Sequence, residues 1–442
     1  MSPCPPGRPP ARAARPAGVA AGPLTDGGAA DRGGPFGDPR SAVPPDRPRD
    51  TPAPRAASPA VAALAARLAR GADAAPLADF WAGVRAAGTP LRERDPLDPD
   101  RVVLTFLWRG EAAEVLVLAN KLTDRFDLPA SRMHRLAGTD LWHLSYRLPR
   151  RWRGSYHLAP RTGAARGFDW VAGSRRPDPL NPHTLPAADG PPASVAEAAP
   201  AGADPLWRPR PGVPAGTVTT VEVCSAHLGG ARRVWRYRPA APGPYRLLVL
   251  LDGQIWGPLL PVAPILDNLV AAGRIPPTVA LLPDSGEGAG RAGDYTCRPA
   301  FAEFLARELV PAAAGALPVT ADAAHTVIAG QSLGGLAAAH AALRAPHRFG
   351  TVLTHSGAYW WPHLDGAAPE WLAGAVSRRD RAPLRWDLGV GADEWISVGP
   401  HRRLRDALRA RGYPVRYAEW DGGHDRACWR EELAAGLVRT LA

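Results

Sequence analysis

Residues 325–340 read HTVIAGQSLGGLAAAH, and no other stretch restricts the fold so tightly. A short apolar, β-branched run enters Gly330-Gln331-Ser332-Leu333-Gly334, and a run of small apolar residues leaves it. A strand that turns directly into a helix needs small residues at the corner, because the two elements otherwise collide. A serine held at that corner has helix N-terminal amides beside it, so a nucleophile and an oxyanion site arise together. Ser332 is therefore the candidate nucleophile, and the Leu333 N–H a candidate oxyanion donor. The competing reading is a plain turn or a phosphate-cradling glycine loop.

The flanking rhythm supports the first reading. GTVTTVEVCS, RRVWRYRPA, YRLLVLLDG, PTVALLPDS, FGTVLTHSG, RWDLGVG and VRYAEW read as strands. Helical patterns stand near 261–273, 299–315, after Ser332, near 399–411 and near 427–440. Fully apolar strands such as LLVLL alternating with helices predict an α/β domain over 217–442, with a parallel sheet covered on both faces.

A nucleophilic serine needs a base, and in this strand order the base follows late in the chain. His424 fits: VRYAEW is a strand, and DGGHD is a loop whose glycines leave room for the imidazole. The acid should follow the preceding strand, where Asp393 and Glu394 stand together; Glu394 is favoured and Asp393 is the alternative. Asp421 and Asp425 flank the histidine and read as loop-shaping residues. A second oxyanion donor is expected after LLVLLDG, from the backbone of Gly253 or Gln254.

Upstream, VAALAARLAR and PLADFWAGVRAAG have helical spacing, and RVVLTFLWRG, EVLVLAN, LWHLSYRL and GSYHLAP read as short strands. These imply a helical lead-in and a small antiparallel β-sandwich over 59–185. Residues 186–216 are rich in Pro, Ala and Gly and read as a linker. Residues 1–58 hold eight Arg and five Asp among Pro, Ala and Gly, a composition expected to stay disordered.

The formal net charge is +11, almost all from arginine, since Lys121 is the single lysine. Abundant Arg, Ala, Gly and Pro together point to coding bias, so no nucleic-acid partner is expected, although an anionic substrate would be attracted. The four cysteines show no zinc-ligand spacing, and few cysteines suit a reducing compartment. No signal-like or membrane-spanning apolar run stands out. The expectation is a cytoplasmic protein, monomeric or weakly oligomeric, with no membrane contact.

LLDGQIW, AGQSLGGLAAAHAAL, HRFGTVLTHSGAYWWPH and DGGHDRACWR, together with TFLWRG, RLAGTDLWHLSYRL, WRGSYHLAP and DPLNP, resemble the enterochelin (ferric enterobactin) esterases. The resemblance covers roughly 75–442. It implies an α/β-hydrolase domain preceded by a small antiparallel, immunoglobulin-like β-sandwich. The implied activity is hydrolysis of the trilactone esters of ferric catecholate siderophores, releasing iron inside the cell. Ser332 then becomes the nucleophile, His424 the base and Glu394 the acid, with a Ser–His dyad as the alternative. No cofactor or protein-bound metal is implied, because iron arrives within the substrate.

A negatively charged aromatic ligand suits Arg, Trp and Tyr. The candidates are Arg153, Trp256, Arg291, Tyr359, Trp360, Trp361 and His363. Where the family carries Arg-x-x-Glu-Leu this chain has Arg291-Ala-Gly-Asp294-Tyr, which makes Asp294 the substitute acid. Cys297 and Cys428 stand where the family shows cysteines and are expected as buried free thiols, with a pairing near the site as the alternative. Two other functions stay open: a broad carboxylesterase or acyltransferase sharing the serine turn, and a protein that binds siderophore without turnover.

Overall fold

The computed structural model describes residues 39–71, 75–161, 163, 168–199, 205–286, 288–315, 317–364 and 370–442. The carboxy-terminal unit carries the serine. Its strands are β9 (Thr217–Ser225), β10 (Gly230–Arg238), β11 (Arg246–Leu250), β12 (Thr278–Pro283), β13 (Thr326–Gln331), β14 (Thr351–His355), β15 (Arg385–Gly391) and β16 (Val415–Trp420). The amino-terminal unit carries β1 (Leu91–Arg94), β2 (Arg101–Arg109), β3 (Glu114–Ala119), β4 (His134–Arg135), β5 (Leu141–Pro149), β6 (Arg153–Arg161), β7 (Thr184–Leu185) and β8 (Ala193–Glu197).

In the carboxy-terminal unit the order is β16-β15-β14-β13-β11-β12-β10-β9. The strands from β11 to β16 run parallel, whereas β10 pairs antiparallel with both β12 and β9. The sheet is therefore mixed rather than wholly parallel. β9 and β10 are joined by a tight turn, which permits only an antiparallel pair. The apolar run of β11 divides by the two-residue period of a strand. Leu247, Val249 and Leu251 enter one core with the helices around 299–314, 333–344, 371–378 and 398–410. Leu248 and Leu250 enter the other, against Ile265, Leu266 and Leu269 and against Leu433, Leu437 and Leu441. Both faces are covered, which is why this strand has no polar alternation.

Two four-stranded antiparallel sheets, β1-β2-β5-β4 and β3-β6-β8-β7, make up the amino-terminal unit. They share one core, with Leu104, Phe106, Leu144 and Tyr146 from the first and Val115, Val117, Tyr156 and Leu158 from the second. The lead-in helix Pro59–Arg70 begins where Ser58 Oγ accepts from the Val61 N–H and proline occupies the first turn.

Two sequence expectations need correction. Strand β8 lies inside the segment read as a linker; all five of its residues are buried and it pairs with β6. Its Ala, Ser and Val were masked by the surrounding Pro and Gly. Residues 1–38 of the expected disordered tail lie outside the described residues, but residues 40–58, although mostly exposed, are anchored to the fold at several points. Ser41 is fully buried and accepts from Trp361 Nε1 at 2.8 Å. Arg49 donates its backbone N–H to Asp124 at 2.8 Å and its guanidinium to Asp393 at 3.2 Å. Arg55 lies over the Tyr146 ring, 4.8 Å from its centroid. Beyond the short 3-10 turn Pro39–Ala42 this segment forms no helix or strand before Pro59, and it is held by partners distant in sequence, which local composition cannot reveal.

Burial also sets the acid stability. Desolvation lowers the pKa of His340 to about 3 and those of His355 and His401 to about 4. An unfolded histidine titrates near 6.5. Below that pH the unfolded chain takes up protons that these folded sites refuse, so stability is full above about pH 6.5 and falls as the pH drops toward 4. Thermal melts from pH 7.5 to 4.5 are expected to show Tm declining steadily below 6.5. A flat Tm across that window would contradict the assignment.

Candidate active site

The serine corner is built as its sequence requires. Ser332 follows β13 with φ 57° and ψ −127°, a strained conformation for a residue with a side chain, and the helix Leu333–Arg344 starts at once. A Cβ at Gly330 would stand 2.3 Å from the Gly334 carbonyl oxygen, so the strand and helix close only because that position is glycine. The Ser332 N–H donates to the His355 carbonyl at 3.2 Å, tying the corner to β14.

His424 lies on the loop after β16, and its Nε2 is 3.0 Å from Ser332 Oγ. Its Nδ1 is 2.7 Å from Glu394 Oε2. Glu394 follows β15, is 1% exposed, and accepts at Oε1 from Ser356 Oγ at 2.5 Å and from the Gly391 N–H at 2.9 Å. Burial alone would raise the Glu394 pKa, but His424, Ser356 and the Gly391 amide hold it below the usual carboxylate value. Trp429 Nε1 donates to Ser356 Oγ at 2.8 Å, and the Trp429 ring stands edge-on to His424 at 4.8 Å between centroids. Trp429, Ser356, Glu394, His424 and Ser332 thus form one continuous hydrogen-bonded and packed chain.

Asp393, the alternative acid, points elsewhere. It accepts from Trp152 Nε1 at 2.9 Å and pairs with Arg49, joining the β15 loop to the amino-terminal unit. Asp425 caps the last helix through the Ala427 N–H, at 2.9 Å. Its other oxygen accepts from the backbone N–H and Oγ of Ser155, at 2.5 and 2.8 Å. Asn120 Nδ2 donates to the His424 carbonyl at 2.9 Å. The histidine loop is therefore fastened by the amino-terminal unit on both sides of His424.

A cleft of about 460 Å³ opens onto Ser332. Gln254, Trp256, Arg291, Gln331, Arg426 and Trp429 line it, and Ala188 and Asp189 reach it from the loop between β7 and β8. The Gly253, Gln254 and Leu333 N–H groups have no hydrogen-bond acceptor among the described residues, as oxyanion donors require. Gly253 is forced by space, since a Cβ there would meet the Leu282 carbonyl oxygen at 2.1 Å.

The expected ligand contacts separate into two groups. Trp256 and Arg291 line the cleft, but each is already engaged. Trp256 donates to Gln331 Oε1 at 2.8 Å, and Arg291 grips both oxygens of Asp252 at 2.7 and 2.8 Å. Burial would weaken the Arg291 charge, but Asp252 outweighs it and raises the pKa. Arg153, Tyr359, Trp360, Trp361 and His363 do not line the cleft. Arg153 pairs with Glu197 at 2.6 Å and lies 3.8 Å from Glu431, across the two units. Tyr359 is 1% exposed, bonds Thr354 Oγ1 at 2.6 Å and packs on His401. Trp361 is fully buried, Trp360 nearly so, and His363 is exposed away from the cleft. SGAYWWPH is thus mostly core: large aromatics bury more favourably than they line water. Asp294 binds Arg232 and Arg298, at 2.6 and 2.7 Å, and not Arg291. Cys297 and Cys428 are buried free thiols.

Asp252, Ser356, Arg426 and Trp429 were missed. Asp252 and Arg426 stand next to or within two residues of expected site residues, so adjacency was their one signal. Among the described residues no cluster of His, Cys, Asp and Glu is placed to hold a metal ion, and no helix is long and apolar enough to cross a membrane.

Comparison with known proteins places this chain in a family. The putative esterase model matches residues 225–440, and the enterochelin esterase N-terminal model matches residues 103–207. Iron(III) enterobactin esterase of Dickeya dadantii (strain 3937) is 33% identical over 408 residues, covering 81% of this chain and 91% of the relative. Iron(III) salmochelin esterase of Escherichia coli O6:H1 is 30% identical over 398 residues, covering 86% and 97%. The crystal structure of ferric enterobactin esterase from Salmonella typhimurium aligns with a TM-score of 0.72 at 31% identity, covering 81% of this chain and 97% of that one. A Shigella flexneri enterobactin esterase structure, determined in the presence of enterobactin, aligns with a TM-score of 0.69 at 29% identity, over 82% and 97%. The two family matches, with relatives at least 30% identical over most of both chains, place this chain in the enterochelin esterase family.

Proposed function

We propose that this enzyme hydrolyses the trilactone esters of a ferric catecholate siderophore, with Ser332 as nucleophile, His424 as base and Glu394 as acid. The observation that carries the reading is the unbroken contact from Glu394 through His424 to Ser332 at the floor of a cleft. In the first half-reaction Ser332 Oγ attacks the ester carbon while His424 Nε2 takes its proton. Glu394 accepts from the resulting imidazolium at Nδ1 and stabilises it. The Leu333 N–H, with that of Gly253 or Gln254, receives the oxyanion. Collapse expels the substrate's serine hydroxyl, which takes the proton from His424, and leaves an acyl-enzyme. Water then repeats the sequence, activated by the same histidine, and frees Ser332.

We read the two amino-terminal sheets as the immunoglobulin-like sandwich, presenting Ala188 and Asp189 at the cleft mouth. Names of the relatives supply the substrate class: iron(III) enterobactin and iron(III) salmochelin. Purified protein incubated with ferric and iron-free enterobactin is expected to yield linear dihydroxybenzoyl-serine products, resolved by chromatography. Cleavage of simple aryl esters without any trilactone cleavage would sink the substrate assignment. Tight binding without turnover would favour sequestration instead.

A further inference from the structure

The cleft holds two guanidinium groups in different states. Arg291 is consumed by Asp252, whose two oxygens it binds. Arg426 stands two residues after His424, at the first turn of the helix Arg426–Leu441, and lines the same cleft as Ser332. It is half-buried and has no hydrogen-bond or ion-pair partner among the described residues. The carboxylates closest to it in charge are committed elsewhere, Asp252 to Arg291 and Asp425 to Ser155 and Ala427. Burial lowers the Arg426 pKa, with Asp252, Asp425 and Asp189 opposing that shift and Arg291 adding to it. An uncommitted cation beside a nucleophile is costly to keep, and an anion arriving with the substrate offsets that cost. Asp189, exposed at the rim, is the cleft's other uncommitted charge and acts in the opposite sense.

Resting on the substrate reading above, we propose that Arg426 receives the negatively charged catecholate oxygens of the iron-loaded siderophore and makes the enzyme favour it over the iron-free form. Binding of iron(III) strips the catechol protons and leaves a complex of net negative charge. Iron-free catechols, as phenols, keep their protons at neutral pH. A single free guanidinium therefore separates two substrates of the same covalent skeleton by charge, and its planar donors suit paired oxygens.

The test measures kcat/KM on ferric and iron-free enterobactin for wild type, Arg426→Ala, Arg426→Lys and Asp189→Asn. In Arg426→Ala the ferric form is expected to lose about ten-fold more than the iron-free form, the scale of a lost charge-assisted hydrogen bond. Arg426→Lys keeps the charge and should retain part of the preference, while Asp189→Asn should raise it. An equal loss on both forms, or an unchanged ratio, overturns the proposal. Tryptophan quenching gives a second reading without turnover, comparing ferric enterobactin binding to Ser332→Ala and to Ser332→Ala/Arg426→Ala. Weaker binding by the double variant is expected; equal affinities overturn the role of Arg426 even if hydrolysis itself is never seen. Failure of wild type to cleave either form would instead strike the substrate assignment.

Discussion

Ser332→Ala is expected to lower kcat by about 10⁴- to 10⁶-fold, with little change in Tm. Truncating Ser332 Oγ removes the attacking atom and no core contact, since Ser332 is partly exposed at the cleft floor. His424→Ala should cost nearly as much, because an unassisted serine hydroxyl is a weak nucleophile near neutral pH. Combining the two should cost scarcely more than either alone, since the pair works as one unit at 3.0 Å. Single-turnover and steady-state rates on ferric enterobactin and on an aryl ester would check this. A strictly additive double variant, or a loss below ten-fold for either single one, would remove the pair from the reaction.

The second large effect concerns Glu394. Glu394→Gln is expected to reduce kcat by about 10²- to 10⁴-fold while KM moves little. The carboxylate has donors on both oxygens: His424 Nδ1 on one, Ser356 Oγ and the Gly391 N–H on the other. An amide of the same shape carries acceptor capacity at one end and two N–H donors at the other. Either it faces its nitrogen toward His424, which imposes the wrong tautomer at Nε2, or it confronts the Ser356 and Gly391 donors inside a buried site. Glu394→Ala should behave similarly in kcat and lose more in Tm, because it leaves Ser356, His424 and a void behind. If a Ser–His dyad suffices, both variants will retain rates within a few-fold of wild type, and Glu394 leaves the mechanism. Parallel measurement of Asp393→Asn separates the two neighbours: its partners are Trp152 and Arg49, so it should affect Tm more than kcat.

Much of the candidate site is legible in the sequence, for a local reason. The turn at Ser332, the helix after it, the loop of His424 and the position of Glu394 after β15 each depend on residues within a few positions of one another. The strand periodicity of LLVLL likewise announced a sheet buried on both faces. Reading failed where the partner is distant. The aromatic cluster Tyr359-Trp360-Trp361 looked like a ligand surface, yet it is covered by β-sheet, helix and residue Ser41, over 300 positions upstream. Arg153 looked available, yet Glu197 and Glu431 hold it. Composition hid β8 and the anchoring of residues 40–58, because prolines and arginines look alike whether solvated or docked.

The sequence by itself determined the fold class of the carboxy-terminal unit, the strand-to-helix corner at Ser332, the loop that carries His424 and the order of the two units, since these follow from backbone sterics and chain periodicity. Only the tertiary structure decided which charges remain available. Arg291 and Arg426 are indistinguishable as letters, and both end in one cleft with Ser332. A carboxylate 39 positions from Arg291 neutralises it, whereas among the described residues none forms an ion pair with Arg426. Charge pairing is a property of distances below about 4 Å between side chains far apart in the chain, and folding alone sets those distances.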